Sequence, residues 1–548
     1  MRAGLFVCVL ALALAMAVAV PDAVGAAQHR RACLREREDP EGGSDVGRKP
    51  GNDRHCGRHP RPGRARDPIH KIRHVVIVMQ ENRSFDEYFG TFPHADGLPR
   101  DSQGRFTSCV PDPRAGNCQR PFHNPGDTNA GGPHYHESAV TDIDHGRMDG
   151  FVRSVEQSQD LDTDKTSCVV AGKSPSCVDV MGYKTGADIP NYWSYARHFV
   201  LQDHMFEPAD TWSLPAHLLM VSGWSAHCAD SARPATCKSD LGFPDSDGNT
   251  SSNPLAQQGT GAALGILTPK DADDVQNSPR KPDYGWTDIT YLLHRHRVSW
   301  RYYLALGTEP DCPTGQMTCP PQPQAVSTPE IWNPLPDFQT VHSDGQLGNI
   351  VPDAQLLDDA RAGRLPAVSW VIPSGDNSEH PFGTVSAGQN HVTRVIDEIM
   401  KGPDWKSTAI FLAWDDWGGF YDHVPPPRVG GQQYGIRVPG LVISPYARRG
   451  YVDHRTLSFD AYLRFIEDDF LGGERLDPRT DGRPDPRPSV RETARGLADL
   501  RRDFDFKQKP RRPLLLPFGT ANLPGPTPLP QPFLPPLPAA ARLFTPQR

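Results

Sequence analysis

Two apolar runs that stop at paired acid or amide side chains constrain this chain more than any other feature. His74-Val75-Val76-Ile77-Val78-Met79-Gln80 is rich in β-branched residues and breaks off into Glu81-Asn82. Thr408-Ala409-Ile410-Phe411-Leu412-Ala413-Trp414 breaks off into Asp415-Asp416, followed by Trp417-Gly418-Gly419. Short continuous apolar runs of this kind suit strands buried on both faces. In an open α/β sheet, ligands bind just beyond the carboxyl ends of the strands. Two such strands, far apart in sequence, predict one acidic cluster assembled from both, as the wall of a metal or phosphate site. The alternative is two exposed acidic turns.

The rest of the chain alternates in the same style. Ala367–Ile372 reads as a strand. Val392, Val395, Ile396, Ile399 and Met400 have helical spacing and lead into the Thr408 strand. Val438–Ile443 follows as a strand, then a helix with Phe459, Leu463, Ile466 and Phe470 on one side and Ser458 as its N-cap. Strand, helix, strand in this order predicts an α/β fold with parallel pairing through crossovers. The stretch from Ser102 to Pro321 is rich in Cys, Gly and Pro, and is expected to supply insertions and loops that roof the site.

A length of 548 residues allows one large domain with insertions, or two domains. The net charge of −8 argues against a general nucleic-acid binder, which needs a cationic face. Residues 1–27 read as a secretory signal: Arg2, an apolar core from Leu5 to Val20, then small residues around Gly25-Ala26-Ala27. That run is short for a spanning helix, so the mature chain is expected to be exported without a transmembrane segment. Residues 28–70 form a polar, Arg/Gly/Pro-rich arm with too little apolar surface to order itself. Residues 506–548 form a Pro-rich tail, for which packed-extended and disordered states both remain open.

Setting aside Cys8 in the apolar run leaves an even set of cysteines, which fits an oxidising compartment. Sequence alone leaves connectivity open. Nearest-neighbour pairing is the expectation: Cys33–Cys56, Cys109–Cys118, Cys168–Cys177, Cys228–Cys237 and Cys312–Cys319.

Glu81-Asn82-Arg83-Ser84-Phe85-Asp86 with Tyr88-Phe89-Gly90, and Asp415-Asp416 with Gly418 through Pro426, resemble the secreted phosphoesterase family of non-specific phospholipases C and acid phosphatases. The resemblance runs from about Lys71 to Asp505 and marks residues 71–505 as one catalytic domain, with insertions at about 102–321. It implies an alkaline-phosphatase-like α/β/α sandwich with a mainly parallel central sheet and loop-rich, disulfide-stapled insertions.

The resemblance also implies a site. Ser213 in Trp212-Ser213-Leu214-Pro215-Ala216-His217 takes the nucleophile's place, with Thr211 in reserve. Ala216 stands where the family carries Asn, which removes a polar group near the nucleophile. Read without the family, Ser213 is a helix cap. Glu81, Asn82, Asp415, Asp416 and Ser213 form the expected ligand set of a divalent metal ion. Adjacent carboxylates would otherwise repel the phosphate they must bind, and oxygen ligands suit a hard cation. Glu379-His380-Pro381 and Gly132-Pro133-His134 match further family segments, making His380, Glu379 and His134 the acid/base candidates. His145 replaces a residue that is usually small, and His423 is read either as supporting the site from just outside it or as structural.

The implied activity is hydrolysis of a phospholipid to diacylglycerol and a phosphorylated head group. An acid phosphatase acting on monoesters is the alternative within enzymes, and a non-catalytic secreted binding protein the alternative outside them. The implied partners are a phospholipid or small phosphate ester, with peripheral contact at a membrane surface. Trp212, Tyr192, Trp193, Phe206 and Trp224 are candidates for an apolar rim around a lipid.

Overall fold

The computed structural model describes residues 67–158, 178–241, 282–311 and 320–519. The expected signal segment, nearly all of the arm, the distal tail and the pairings of Cys33, Cys56, Cys168, Cys177, Cys312 and Cys319 lie outside them.

The continuous apolar runs form the centre of an eight-stranded sheet because only a strand covered on both faces can bury side chains of both parities. In chain order its strands are β1 (His74–Gln80), β2 (Val200–Gln202), β3 (Trp300–Leu304), β4 (Ile350–Pro352), β5 (Val368–Ile372), β6 (Thr408–Trp414), β7 (Gly440–Ile443) and β8 (Tyr451–Asp453). Their spatial order is β4-β3-β5-β1-β6-β7-β2-β8. β1 lies between β5 and β6, parallel to both. Only β7 runs against its neighbours, β6 on one side and β2 on the other. The mainly parallel sheet is therefore as expected, and β7 is the exception. No crossover helix separates it from β6, so the chain returns in the opposite sense.

Helices cover both faces. Phe411 stacks on Tyr462 with ring centroids 5.1 Å apart and meets Phe465 edge-on. Trp414 meets Tyr88 and Tyr192 edge-on at 5.4 and 5.1 Å. Three residues apart on one strand, Phe411 and Trp414 point to opposite faces. The Trp414 face carries α1 (Phe85–Phe89), α2 (Pro190–His198) and α5 (Val385–Lys401), the last tied to α2 by Asn191 Nδ2 donating to Thr393 Oγ1 at 3.0 Å. The Phe411 face carries α6 (Asp460–Phe470), which packs on α3 (Ser213–Ser222). A further helix, α4 (Ala354–Ala362), packs along α5.

Two local expectations change, and an open alternative narrows. The stretch 102–321 is not only insertion: it contributes β2, β3 and the wholly buried α3 to the core. Short strands with no period of their own leave little trace in a loop-rich background. Ser458 is not the cap of α6, since Phe459 holds that position and the Ser458 hydroxyl donates to Asp460 Oδ2 at 3.3 Å. The described start of the tail is packed and extended. Trp405 Nε1 donates to the Arg511 carbonyl at 3.1 Å, Leu516 N to Asp397 Oδ1 at 3.2 Å and Gly519 N to Asn390 Oδ1 at 2.9 Å. Two disulfides close as expected, Cys109–Cys118 and Cys228–Cys237, each across a two-stranded hairpin.

Candidate active site

Parallel register delivers the site. Gln80 pairs with Trp414 at the carboxyl ends of β1 and β6. The next residues, Glu81 and Asp415, therefore leave the sheet side by side. Asn82 adopts φ +54, a left-handed conformation that Asn tolerates better than most residues. Its amide N donates to Asp415 Oδ1 at 3.0 Å, which locks the two loops together. Gly418 and Gly419, at φ +61 and +73, complete the junction. A Cβ on Gly418 would come within 2.4 Å of the Asn82 carbonyl, and one on Gly419 within 2.3 Å of the Gly132 Cα. Only glycine lets these three loops meet so closely.

Ser213 is brought to this point by α3. Trp212, in extended conformation, occupies the N-cap position, and Ser213 is the first helical residue. The capping reading of Ser213 is thereby replaced: its hydroxyl is turned to the acidic loops. Asn82 Nδ2 lies 3.4 Å from Ser213 Oγ, and Ser213 Oγ donates to Asp416 Oδ2 at 3.2 Å. One helical turn on, and so on the same face, His217 places Nε2 3.2 Å from Glu81 Oε1 and 4.0 Å from Asp415 Oδ2. Thr211 points elsewhere, its hydroxyl donating to the Leu241 carbonyl at 2.7 Å. Ala216 is buried in the main core.

Glu81, Asn82, Ser213, His217, Asp415 and Asp416 are all fully buried. Burial, reinforced by the charge of Asp415, pushes the carboxyls of Glu81 and Asp416 well above their ordinary range. Burial likewise lowers the His217 imidazole, against the pull of Asp415 and Asp311. Among the described residues no lysine or arginine pairs with this group. Glu81 Oε2, Asn82 Oδ1 and Asp415 Oδ2 are buried without a hydrogen-bond partner. Leaving buried polar atoms unpaired costs about 1–3 kcal/mol each. A buried, oxygen-rich group with unsatisfied acceptors and no paired cation fits a hard divalent metal ion.

A second group adjoins it through the Gly132–Gly419 contact. Asp311 Oδ1 lies 3.0 Å from His380 Nε2 and 3.5 Å from His134 Nε2. Burial opposes a charge on His134, but Asp416 and Asp311 overcome it and raise the imidazole to about 9. The two histidines pull Asp311 well below the carboxylate range despite its burial. His134 and His380 were legible from their motifs, whereas Asp311 was not, because nothing local marks it. His217 was visible only as a motif match, although its i, i+4 spacing from Ser213 already placed both on one helix face.

Glu379 lies in a different environment. It holds φ +70, and its carboxylate accepts from Tyr88 Oη at 2.6 Å, from Trp414 Nε1 at 3.1 Å and from Tyr192 Oη. Burial raises it to about 7, against the opposing hydrogen bonds of Tyr192 and Tyr88. Replacing it strands three buried donors. Glu379→Ala is expected to lose about 3 kcal/mol or more of stability in urea unfolding, with turnover by the remaining folded protein near the parent's. A collapse of kcat at unchanged stability would instead make Glu379 a participant in the chemistry. His423 is held by Asp86 at 2.6 Å beside the buried Arg437–Asp422 pair. His145 is exposed, with φ +58. The five aromatic candidates for a lipid rim are all buried, and Tyr192, Trp193, Trp212 and Trp224 belong to the main core.

A serine hydroxyl at a helix N-terminus thus lies among buried acidic side chains at the carboxyl edge of a mainly parallel sheet. The chain belongs to the phosphoesterase family, whose profile matches residues 72–471. It is similar to the non-hemolytic phospholipase C of Pseudomonas aeruginosa, 26% identical over 459 residues, covering 75% of this chain and 55% of that protein. It is also 26% identical over 445 residues to phospholipase C A of Mycobacterium tuberculosis, covering 75% of this chain and 74% of the relative. The chain thus spans little more than half the length of the Pseudomonas protein. Among solved structures, a protein in the alkaline phosphatase superfamily from Vibrio parahaemolyticus matches with a TM-score of 0.28 and 12% identity, covering 54% of this chain and 63% of that one. A likeness that loose adds nothing to what the sheet order already establishes.

Proposed function

We propose that this protein hydrolyses phosphoric esters with Ser213 as nucleophile, and that its substrate is a phospholipid cleaved as by a phospholipase C. The observation that carries the reading is the position of Ser213 Oγ, between Asn82 Nδ2 at 3.4 Å and Asp416 Oδ2 at 3.2 Å. Asp416 Oδ2, which accepts the Ser213 hydroxyl, is placed to take the serine proton. Ser213 Oγ attacks phosphorus while the bond to the glycerol oxygen opposite breaks. His134, the most exposed of the second group at 10%, gives a proton to the departing alkoxide. It then takes one from the water that cleaves the phosphoserine, while Asp416 returns its proton to the departing Ser213 oxygen. The amide end of α3 favours the anionic phosphoryl group. A divalent cation held by Glu81, Asn82, Asp415, Asp416 and Ser213 Oγ would supply Lewis acidity and lower the pKa of the serine hydroxyl.

The names of the relatives support a diester substrate, and the two disulfides support an exported protein. Purified protein is expected to convert phosphatidylcholine to diacylglycerol and phosphocholine faster than it cleaves 4-nitrophenyl phosphate. Cleavage of the monoester alone would make it an acid phosphatase. No turnover of either by folded, metal-supplemented protein would leave a binding protein.

A further inference from the structure

We propose that Asp311 is a positioning residue that holds His134 doubly protonated and aimed at the leaving oxygen. The inference rests on the phosphoester reading above and concerns the residue that makes its proton donor competent.

The hydrogen bonds settle the protonation pattern. His134 Nδ1 lies 2.9 Å from the Gly132 carbonyl, and His380 Nδ1 lies 3.0 Å from the Pro381 carbonyl. A carbonyl can only accept, so both Nδ1 atoms carry hydrogen. Both Nε2 atoms face a single carboxylate oxygen, and on His134, whose imidazole is raised, Nε2 carries hydrogen as well. The two rings, edge to face at 5.3 Å, share one carboxylate oxygen. A charged His134 ring in a buried group needs a fixed anion beside it. Asp311 is itself fixed, since Trp332 Nε1 donates to its other oxygen, Oδ2.

The two contacts differ in a useful way. His380 is held at 3.0 Å and almost fully buried, so it anchors the carboxylate in place. His134 stands off at 3.5 Å and is the more exposed, leaving its Nε2–H free to turn to an incoming oxygen. Asp416, Asp142, Glu309, Glu81 and His217 also act on this group. Only Asp311 touches both rings. When the alkoxide departs, the His134 Nε2–H bond breaks and an O–H bond forms on the glycerol oxygen, leaving a neutral imidazole still hydrogen-bonded to Gly132.

The test uses two diesters that differ in their need for an acid. The leaving alkoxide of phosphatidylcholine requires protonation, whereas the 4-nitrophenolate of 4-nitrophenyl phosphorylcholine leaves unaided. Asp311→Asn is expected to lower kcat on the lipid by about 100-fold, the usual contribution of a general acid, and on the aryl ester by only a few-fold. On the lipid, the high-pH limb, where the acid loses its proton, should move down by about one unit or more. Without the carboxylate, the imidazolium is held less firmly. His134→Gln should show the same split between substrates, which covers an Asp311→Asn protein that folds poorly. Equal losses on both esters with an unmoved limb would reduce Asp311 to a structural role and overturn the proposal. So would a parent that binds one more divalent ion per chain than Asp311→Asn, because the three side chains would then be metal ligands. Ser213→Ala assayed beside them separates the two ideas: persistence of both activities there refutes the nucleophile, whatever Asp311 does.

Discussion

Ser213→Ala should abolish hydrolysis, lowering kcat by at least ~10³-fold, while the yield of folded protein and the unfolding transition stay close to the parent's. Losing a nucleophile that works as a unit with its base removes nearly all of the chemical rate enhancement. Stability should survive because the hydroxyl does not cap α3 and contributes little to the helix: Trp212 stands at the cap, and the Ala216 amide N donates to the Trp212 carbonyl at 3.2 Å whatever the side chain at 213. Alanine is also the best helix former. A matching test is single-turnover labelling, in which the parent traps phosphate on Ser213 and the variant does not. Activity within a few-fold of the parent would shift the nucleophile to a water molecule. Thr211 is the weaker successor, since its hydroxyl is engaged with the Leu241 carbonyl.

Asp415→Asn should lower divalent-ion affinity by at least ~100-fold, judging from the 10–100-fold cost of losing even an outer partner of a metal site. Activity should fall with it. The same substitution should have opposite effects on stability with and without metal. In chelated protein, Asp415 is a buried carboxylate beside Glu81 and Asp416, and like charges there raise the free energy of the fold. Asparagine removes the charge and keeps an oxygen to accept the Asn82 amide, so the chelated variant should melt above the chelated parent. With a saturating divalent ion the order should reverse, because ligand binding stabilises the folded parent by mass action. Full metal occupancy in Asp415→Asn, or a variant less stable than the parent in both states, would remove Asp415 from the ligand set.

Much of the architecture was legible because the signals are local. β1 and β6 are continuous apolar runs that only a doubly covered strand can bury, and α5 carries a clear helical period. The acidic endings of β1 and β6 were visible as residue pairs, and the family motifs drew Ser213, His134 and His380 into the same reading. Two hairpin disulfides followed nearest-neighbour spacing. β2 and β3 were hidden, being short strands in an irregular stretch that gain their pairing only from neighbours distant in sequence. The antiparallel sense of β7 was hidden for a related reason: direction depends on whether a helix fills the connection.

Sequence by itself therefore determined the class of fold, the family and the inventory of acidic and amide side chains, since each rests on contiguous residues whose chemistry does not depend on distant partners. Tertiary structure alone decided how that inventory is used. The Gln80–Trp414 register sets Glu81 beside Asp415, and one turn of α3 sets His217 on Glu81. The aromatic residues near Ser213 were sent to the core instead of a lipid rim. Glu379 and His380, adjacent in the chain, were parted: backbone at φ +70 turns Glu379 into a cage of Tyr88, Tyr192 and Trp414, while His380 meets Asp311 and His134. Which buried charges meet depends on sheet register and loop closure, and these are properties of the packed chain that no local pattern of residues encodes.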